Sequence, residues 1–129
     1  MTDSLTQLVA TIAEACVSRK ATDVRGYQLR HPLFEAAVMV ATVSNSTHLK
    51  SLRDEVAKVC DGVDASGGLS EVSGQLSSGW VMVTMPGTLV LHIMLPSMRS
   101  FYQLDELYAT QGPVTHYTED NATPYPQGE

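Results

Sequence analysis

The side chains best suited to chemistry sit in "VLHIMLPSMRSFYQLDELY", residues 90–108, where His92, Arg99 and Tyr102 lie close together beside Met94 and Met98. A histidine can act as a general base, an arginine fork can hold an anion, and a tyrosine can donate or accept a hydrogen bond. An acyl-transfer site also needs a nucleophile and a third group that orients the base. No such set is complete. Ser46 and His48 are two apart on a predicted helix and face different ways. No G-x-S-x-G, G-x-x-x-x-G-K-[ST] or G-x-G-x-x-G occurs. Glu35 and Glu71 are the carboxylates left for a glycosidase-type pair, and nothing in their spacing joins them. "VSNSTH" (43–48) puts small polar residues at a strand-to-helix turn, where a helix N-terminus can hold an anion, although ordinary capping explains the same residues. Cys16 and Cys60 fall on the apolar sides of predicted helices and read as small buried hydrophobes in a reducing compartment. His31, His48, His92 and His116 show no ligand spacing, so no metal site is expected. Neither a catalytic set nor a cofactor site emerges.

The elements that position these residues follow from hydrophobic periodicity. Leu5, Leu8, Val9, Ile12 and Cys16 make one apolar stripe on a helix over 4–19, with Ser4 and Gln7 as a capping box. "VRGYQL" (24–29) reads as a strand. "AAVMVAT" (36–42) is apolar on both faces and suits a central strand. Residues 43–62 form the clearest helix, capped by Asn45 or Ser46, buried along Leu49, Leu52, Val56 and Val59, and ended by Gly62. The Gly- and Ser-rich 62–79 reads as loop with a short edge strand near Leu69–Val72. "WVMVT" (80–84) and "TLVLHIM" (88–94) flank a Pro-Gly turn and read as a hairpin. Ser97 caps a last helix expected to bury Phe101, Leu104 and Tyr108. The polar, Pro-rich 109–129 is expected to be extended or flexible, leaving one domain over 1–108. This order implies an α/β fold: a mixed sheet flanked by helices.

Composition limits the function. The net charge is −6, and residues 109–129 contribute three negative charges and no positive one, which disfavours broad or sequence-specific nucleic-acid binding because phosphates need clustered Lys and Arg. An acidic surface instead suits a basic protein partner. No apolar run approaches the roughly 18–20 residues of a membrane span, and the N-terminus enters a helical pattern directly, with no signal-peptide character.

"SSGWVMVTMPGTLVLHIMLPSMRSFYQLDELY" resembles the Iojap family, the ribosomal silencing factors: Gly79-Trp80, an apolar strand, a turn, a strand ending in His92, then Arg99, Phe101, Tyr102, Leu104, Asp105 and Leu107. "KATDV" (20–24) and "VMVATVSNSTHLKSLRDEV" match the family's upstream half, with Val43 in place of its glycine and Tyr108 in place of its closing tryptophan. The resemblance covers about residues 5–108. It implies a nucleotidyltransferase-like topology without catalytic carboxylates and a protein that is not an enzyme. It implies binding to the large ribosomal subunit through its ribosomal protein number fourteen, which blocks joining of the small subunit; organellar relatives assist large-subunit assembly. A bacterial cytoplasm is the expected compartment, with an organellar matrix as the alternative.

Taken singly, His92 reads as a packed histidine, Arg99 as a solvated charge and Trp80 as core. Taken together, Trp80, His92, Met94, Arg99 and Tyr102 are residue types enriched at interface cores and are expected to form a partner-binding wall, with Ser44 and His48 as a second candidate region. Two other readings compete. One is a remnant nucleotidyltransferase that uses the Ser44–Ser46 turn for phosphate. The other is a homodimer paired through a methionine-rich face.

Overall fold

The computed structural model describes residues 2–32, 35–63 and 70–121. Part of the Gly- and Ser-rich stretch (64–69) and the end of the C-terminal segment (122–129) lie outside them. Helix α1 (Thr2–Ser18) leads into β1 (Thr22–Gln28) and β2 (Ala37–Thr42). Helix α2 (Ser46–Val63) follows, then β3 (Glu71–Gln75), a single 3-10 turn, β4 (Trp80–Met85) and β5 (Leu89–Met94). Two short helices, α3 (Pro96–Tyr102) and α4 (Leu104–Ala109), precede β6 (Val114–Tyr117). The six strands form one sheet in the order β3-β4-β5-β2-β1-β6. Only β2 and β5 run parallel; the other neighbours are antiparallel. The fold is therefore the α/β class expected, a mixed sheet flanked by helices.

The doubly apolar β2 is buried at every position and lies at the centre of the sheet. One sheet face packs on α1 and α2. There Val9, Ile12 and Cys16 of α1 and Leu49, Leu52, Val56 and Cys60 of α2 meet Val24, Met39, Ala41, Val81, Val83, Leu89, Leu91 and Ile93. Both cysteines are buried thiols, and burial, with Cys60 adding to it, pushes Cys16 up to about 12. At that value it is an inert hydrophobe. The other face carries Tyr27, Val40 and Met94, with Trp80, Met98, Leu104 and Tyr108 packed against them. Strand alternation explains the division, since Leu89, Leu91 and Ile93 point one way and Val90, His92 and Met94 the other.

Local chemistry sets the turns. Met85-Pro86-Gly87-Thr88 closes the hairpin: Thr88 N–H donates to the Met85 carbonyl (2.9 Å), and Gly87 takes the left-handed φ of 77° that the turn requires. α3 begins with Pro96 at its first turn and Leu95 as N-cap with no side-chain cap bond. This corrects the assignment of Ser97 as cap: proline's φ is already set for a helix, so α3 starts at Pro96 and Ser97 lies inside its first turn. α1 starts at Thr2, so Ser4 lies inside the helix rather than at its cap. The described part of the C-terminal segment includes a paired strand: β6 pairs with β1 in register Val24↔Tyr117, Arg25↔His116, Gly26↔Thr115 and Tyr27↔Val114.

Candidate functional site

The second sheet face is held together by Arg99. It lies on α3 and is only 7% exposed. Its Nε and Nη2 donate to the two carboxylate oxygens of Asp105 at 2.8 and 3.0 Å, while Nη1 donates to the Asp23 carbonyl (2.6 Å) and to Thr42 Oγ1 (2.8 Å). The Tyr27 hydroxyl donates to Asp105 Oδ1 at 2.6 Å. Two backbone irregularities make this geometry. Asp23 has φ 49° at a bulge in β1, which turns its carbonyl toward Arg99. Gln103 has φ 53° and ends α3, its N–H donating to the Arg99 carbonyl, before α4 restarts at Leu104. In an unbroken helix, residues 99 and 105 would point roughly 120° apart around the axis. The break lets Asp105 turn back and meet Arg99 edge to edge.

Burial alone raises the Asp105 carboxyl, but hydrogen bonds from Arg99 and Tyr27 and the charges of Arg99 and Arg25 outweigh it and hold it below the usual range. Burial, then the bond to Asp105, pushes the Tyr27 hydroxyl up to about 12. Arg25, bonded to Asp23 at 2.8 Å, is raised further into the charged state.

Beside this network runs a chain of rings. Phe101 meets Tyr102 edge-on at 5.0 Å between centroids, and Tyr102 lies 4.8 Å from Trp80. Trp80 lies 5.8 Å from His92, His92 is 6.1 Å from Tyr108, and Tyr108 is 5.9 Å from Tyr27. One end is buried and the other open to solvent: Tyr27 is 1% exposed, Tyr102 46% and Phe101 75%. Gly79 sets the start of β4 and hence Trp80. Its φ is 78°, its carbonyl accepts the Leu95 N–H, and a Cβ there would meet Leu95 and Met98 at 3.1 and 3.2 Å. Trp80 Nε1–H donates to His92 Nδ1 at 3.1 Å. The His92 proton therefore sits on Nε2, a buried atom with no hydrogen-bond partner among the described residues. Such an orphaned donor costs about 1–3 kcal/mol. Burial lowers the His92 pKa to about 4, against a small opposing pull from Asp105, so the ring is neutral at physiological pH.

Asn45 caps α2, and Ser44 and His48 bond to each other across the same turn. Asn45 Oδ1 accepts the His48 N–H at 2.9 Å, and His48 Nδ1 accepts the Ser44 N–H at 3.1 Å. Nε2 of His48 then donates to the Arg19 carbonyl at 2.7 Å, tying the end of α1 to the start of α2. The small polar groups at this turn are thus engaged with one another. Glu35 accepts the Gly87 N–H, and Glu71 lies on the exposed edge strand β3, so they do not make a pair of buried carboxylates. Among the described residues, no group of His, Cys, Asp and Glu could hold a metal ion, and no helix is long and apolar enough to cross a membrane.

The structure brings Trp80, His92, Met94, Arg99 and Tyr102 together on one face, where Tyr102 is exposed, Trp80 half-buried and the other three buried. Met94 is fully buried and His92 is 5% exposed, which corrects their expected place on an open wall. Arg99 is neither a solvated charge nor an exposed contact. Of the methionines on this face, Met94 is buried while Met82 and Met98 are half-buried; Met39 and Met85 are buried on the opposite face. Phe101, expected inside, points out because the break at Gln103 ends the helical phase on which that expectation rested. Leu107 is also exposed, at 51%. Residue types alone did not reveal Asp105 as the partner of Arg99, nor Tyr27 as the hydroxyl that bonds Asp105. The one available signal was the hydroxyl-bearing Tyr27 beside Val24 and Gly26 in a strand that also carries Asp23 and Arg25.

The ribosomal silencing factor during starvation family (RsfS) matches residues 2–128. A ribosomal silencing factor of Chromobacterium violaceum is 35% identical over 78 residues, which span 59% of this chain and 60% of that relative. A crystal structure from Chromobacterium violaceum superposes with a TM-score of 0.73 at 24% identity, covering 93% of this chain and 97% of that one. One from Bacillus halodurans gives 0.66 at 19% identity, covering 89% and 99%. At these identities the two structures speak to the fold, and the family match, which runs through the ring chain and the Arg99–Asp105 pair, speaks to descent. The chain belongs to the ribosomal silencing factor family.

Proposed function

We propose that this protein binds the large ribosomal subunit through ribosomal protein number fourteen, and that it thereby blocks joining of the small subunit and lowers translation. Besides family membership, one observation carries the reading: the helical pair α3–α4 leaves Phe101, Tyr102 and Leu107 at 75%, 46% and 51% exposure, backed by half-buried Trp80. Large apolar side chains held open on a rigid support are what a protein interface needs. The net charge of −6 favours a basic partner. In this reading Trp80 and Tyr102 touch the partner, whereas His92, Met94 and Arg99 hold them from beneath. Ser44 and His48 bond to each other and, through His48, to the Arg19 carbonyl, and they would serve the turn before α2. Action during large-subunit assembly would use the same face, as would a homodimer of the free protein. The compartment would be a bacterial cytoplasm or an organellar matrix. No observation favours a remnant nucleotidyltransferase: the Ser44–Ser46 turn bonds to itself, and Asp23 and Asp105 are held by Arg25 and Arg99.

Co-sedimentation with purified large subunits tests the proposal. Phe101→Ser and Leu107→Ser should change stability by no more than about 0.5 kcal/mol, as surface substitutions do, yet weaken binding at least tenfold. Unchanged recovery of the folded double variant would refute the docking face.

A further inference from the structure

We propose that His92 is a positioning residue for the docking face: through Nδ1 it fixes the orientation of the Trp80 indole and so sets the shape a partner meets. This deepens the function proposed above and rests on it. In the β4–β5 register Trp80 lies opposite Met94, and His92 opposite Met82, so Trp80 and His92 are diagonal neighbours within side-chain reach. The indole N–H donates to His92 Nδ1 at 3.1 Å, while the indole ring packs at a tilt of 48° against Tyr102, the neighbour of exposed Phe101. Trp80 is thus the wall between the buried sheet and the open ledge.

Packing alone does not call for an imidazole at this position. Around the ring lie Trp80 from β4 and Tyr108 from α4, with Met82 and Val40 as cross-strand neighbours; Asp105 supplies the charge that acts on it. A leucine would fill this space without desolvating two nitrogens and without leaving Nε2–H unbonded. What the imidazole adds, and leucine cannot, is an acceptor for the indole.

The chain's one tryptophan makes the test direct. His92→Leu should melt at or above the wild-type temperature, shift the Trp80 emission and its indole N–H resonance, and bind large subunits roughly tenfold more weakly, the loss expected for one oriented contact. His92→Asn places an oxygen near the position of Nδ1 and should restore both the Trp80 signature and most of the affinity, without the gain in melting temperature. An unchanged Trp80 signal and unchanged affinity in His92→Leu would overturn the proposal, as would equal loss of affinity in both variants. Should the wild-type chain not bind large subunits at all, the proposed function fails, and the Trp80 spectra of the two variants still decide the positioning role.

Discussion

Replacing Arg99 by methionine keeps much of the side-chain volume and removes the charge. Four hydrogen bonds disappear at once, two to Asp105 and one each to the Asp23 carbonyl and Thr42 Oγ1. Asp105 would keep the Tyr27 hydroxyl at 2.6 Å and Arg25 at 4.0 Å, too little to satisfy a carboxylate whose side chain is 19% exposed. Breaking one partner of a buried ion pair costs about 3–5 kcal/mol, a large share of the roughly 5–15 kcal/mol that stabilises a domain. For a chain of this size that corresponds to a fall in Tm of about 10–20 °C, read by circular dichroism at neutral pH. Adding Asp105→Leu removes the stranded charge, so the double variant should recover part of the loss. A single variant that melts within about 3 °C of wild type would refute the network as the support of α3 and α4. A double variant no better than the single would place the cost in packing rather than charge.

Acidification should destabilise the fold in two stages. His92 is neutral and buried with a pKa of about 4, so its contribution is complete above about 6.5 and is lost as pH falls from there toward 4, roughly 3 kcal/mol in all; denaturant melts across this range check it, and His92→Leu should abolish this stage. Asp105, held below its ordinary range, adds a further loss once pH drops below about 4. Tyr27 acts in the opposite direction: its contribution is complete below about 10 and fades as pH rises toward about 12. Deleting residues 112–129 removes β6 and Tyr117, which covers Gly26, and bares the β1 edge; the truncated chain should melt earlier and aggregate in light scattering. Gln103→Gly relieves a left-handed residue and should leave the melt unchanged or raise stability by up to about 1 kcal/mol, whereas Gln103→Pro, which cannot adopt φ 53° or donate to Arg99, should destabilise.

Regular periodicity made most of the fold legible. The stripes of α1 and α2 and the apolar β2, β4 and β5 each carry a repeat that only one element satisfies. The site was less legible because it is built from exceptions to periodicity. The residues 98–108 fit one helix, and only the need to close Arg99 on Asp105, which also accepts from Tyr27, explains the break at Gln103. Burial of Arg99 depends on the Asp23 bulge, which no pattern in "KATDV" reveals. The exposure of Phe101 follows from the same break. β6 was hidden because "VTHY" is a short polar strand whose pairing with β1 is non-local, and the close approach of Gly112 to the Gln28 carbonyl is visible only in three dimensions.

The central claim is exclusion of the small subunit. The most direct measurement is light scattering as small subunits are mixed with large subunits that already carry this protein. Joining should fall in step with occupancy and return when the Phe101→Ser, Leu107→Ser variant replaces wild type. Large subunits that bind the protein fully and still join at the normal rate and extent would contradict it.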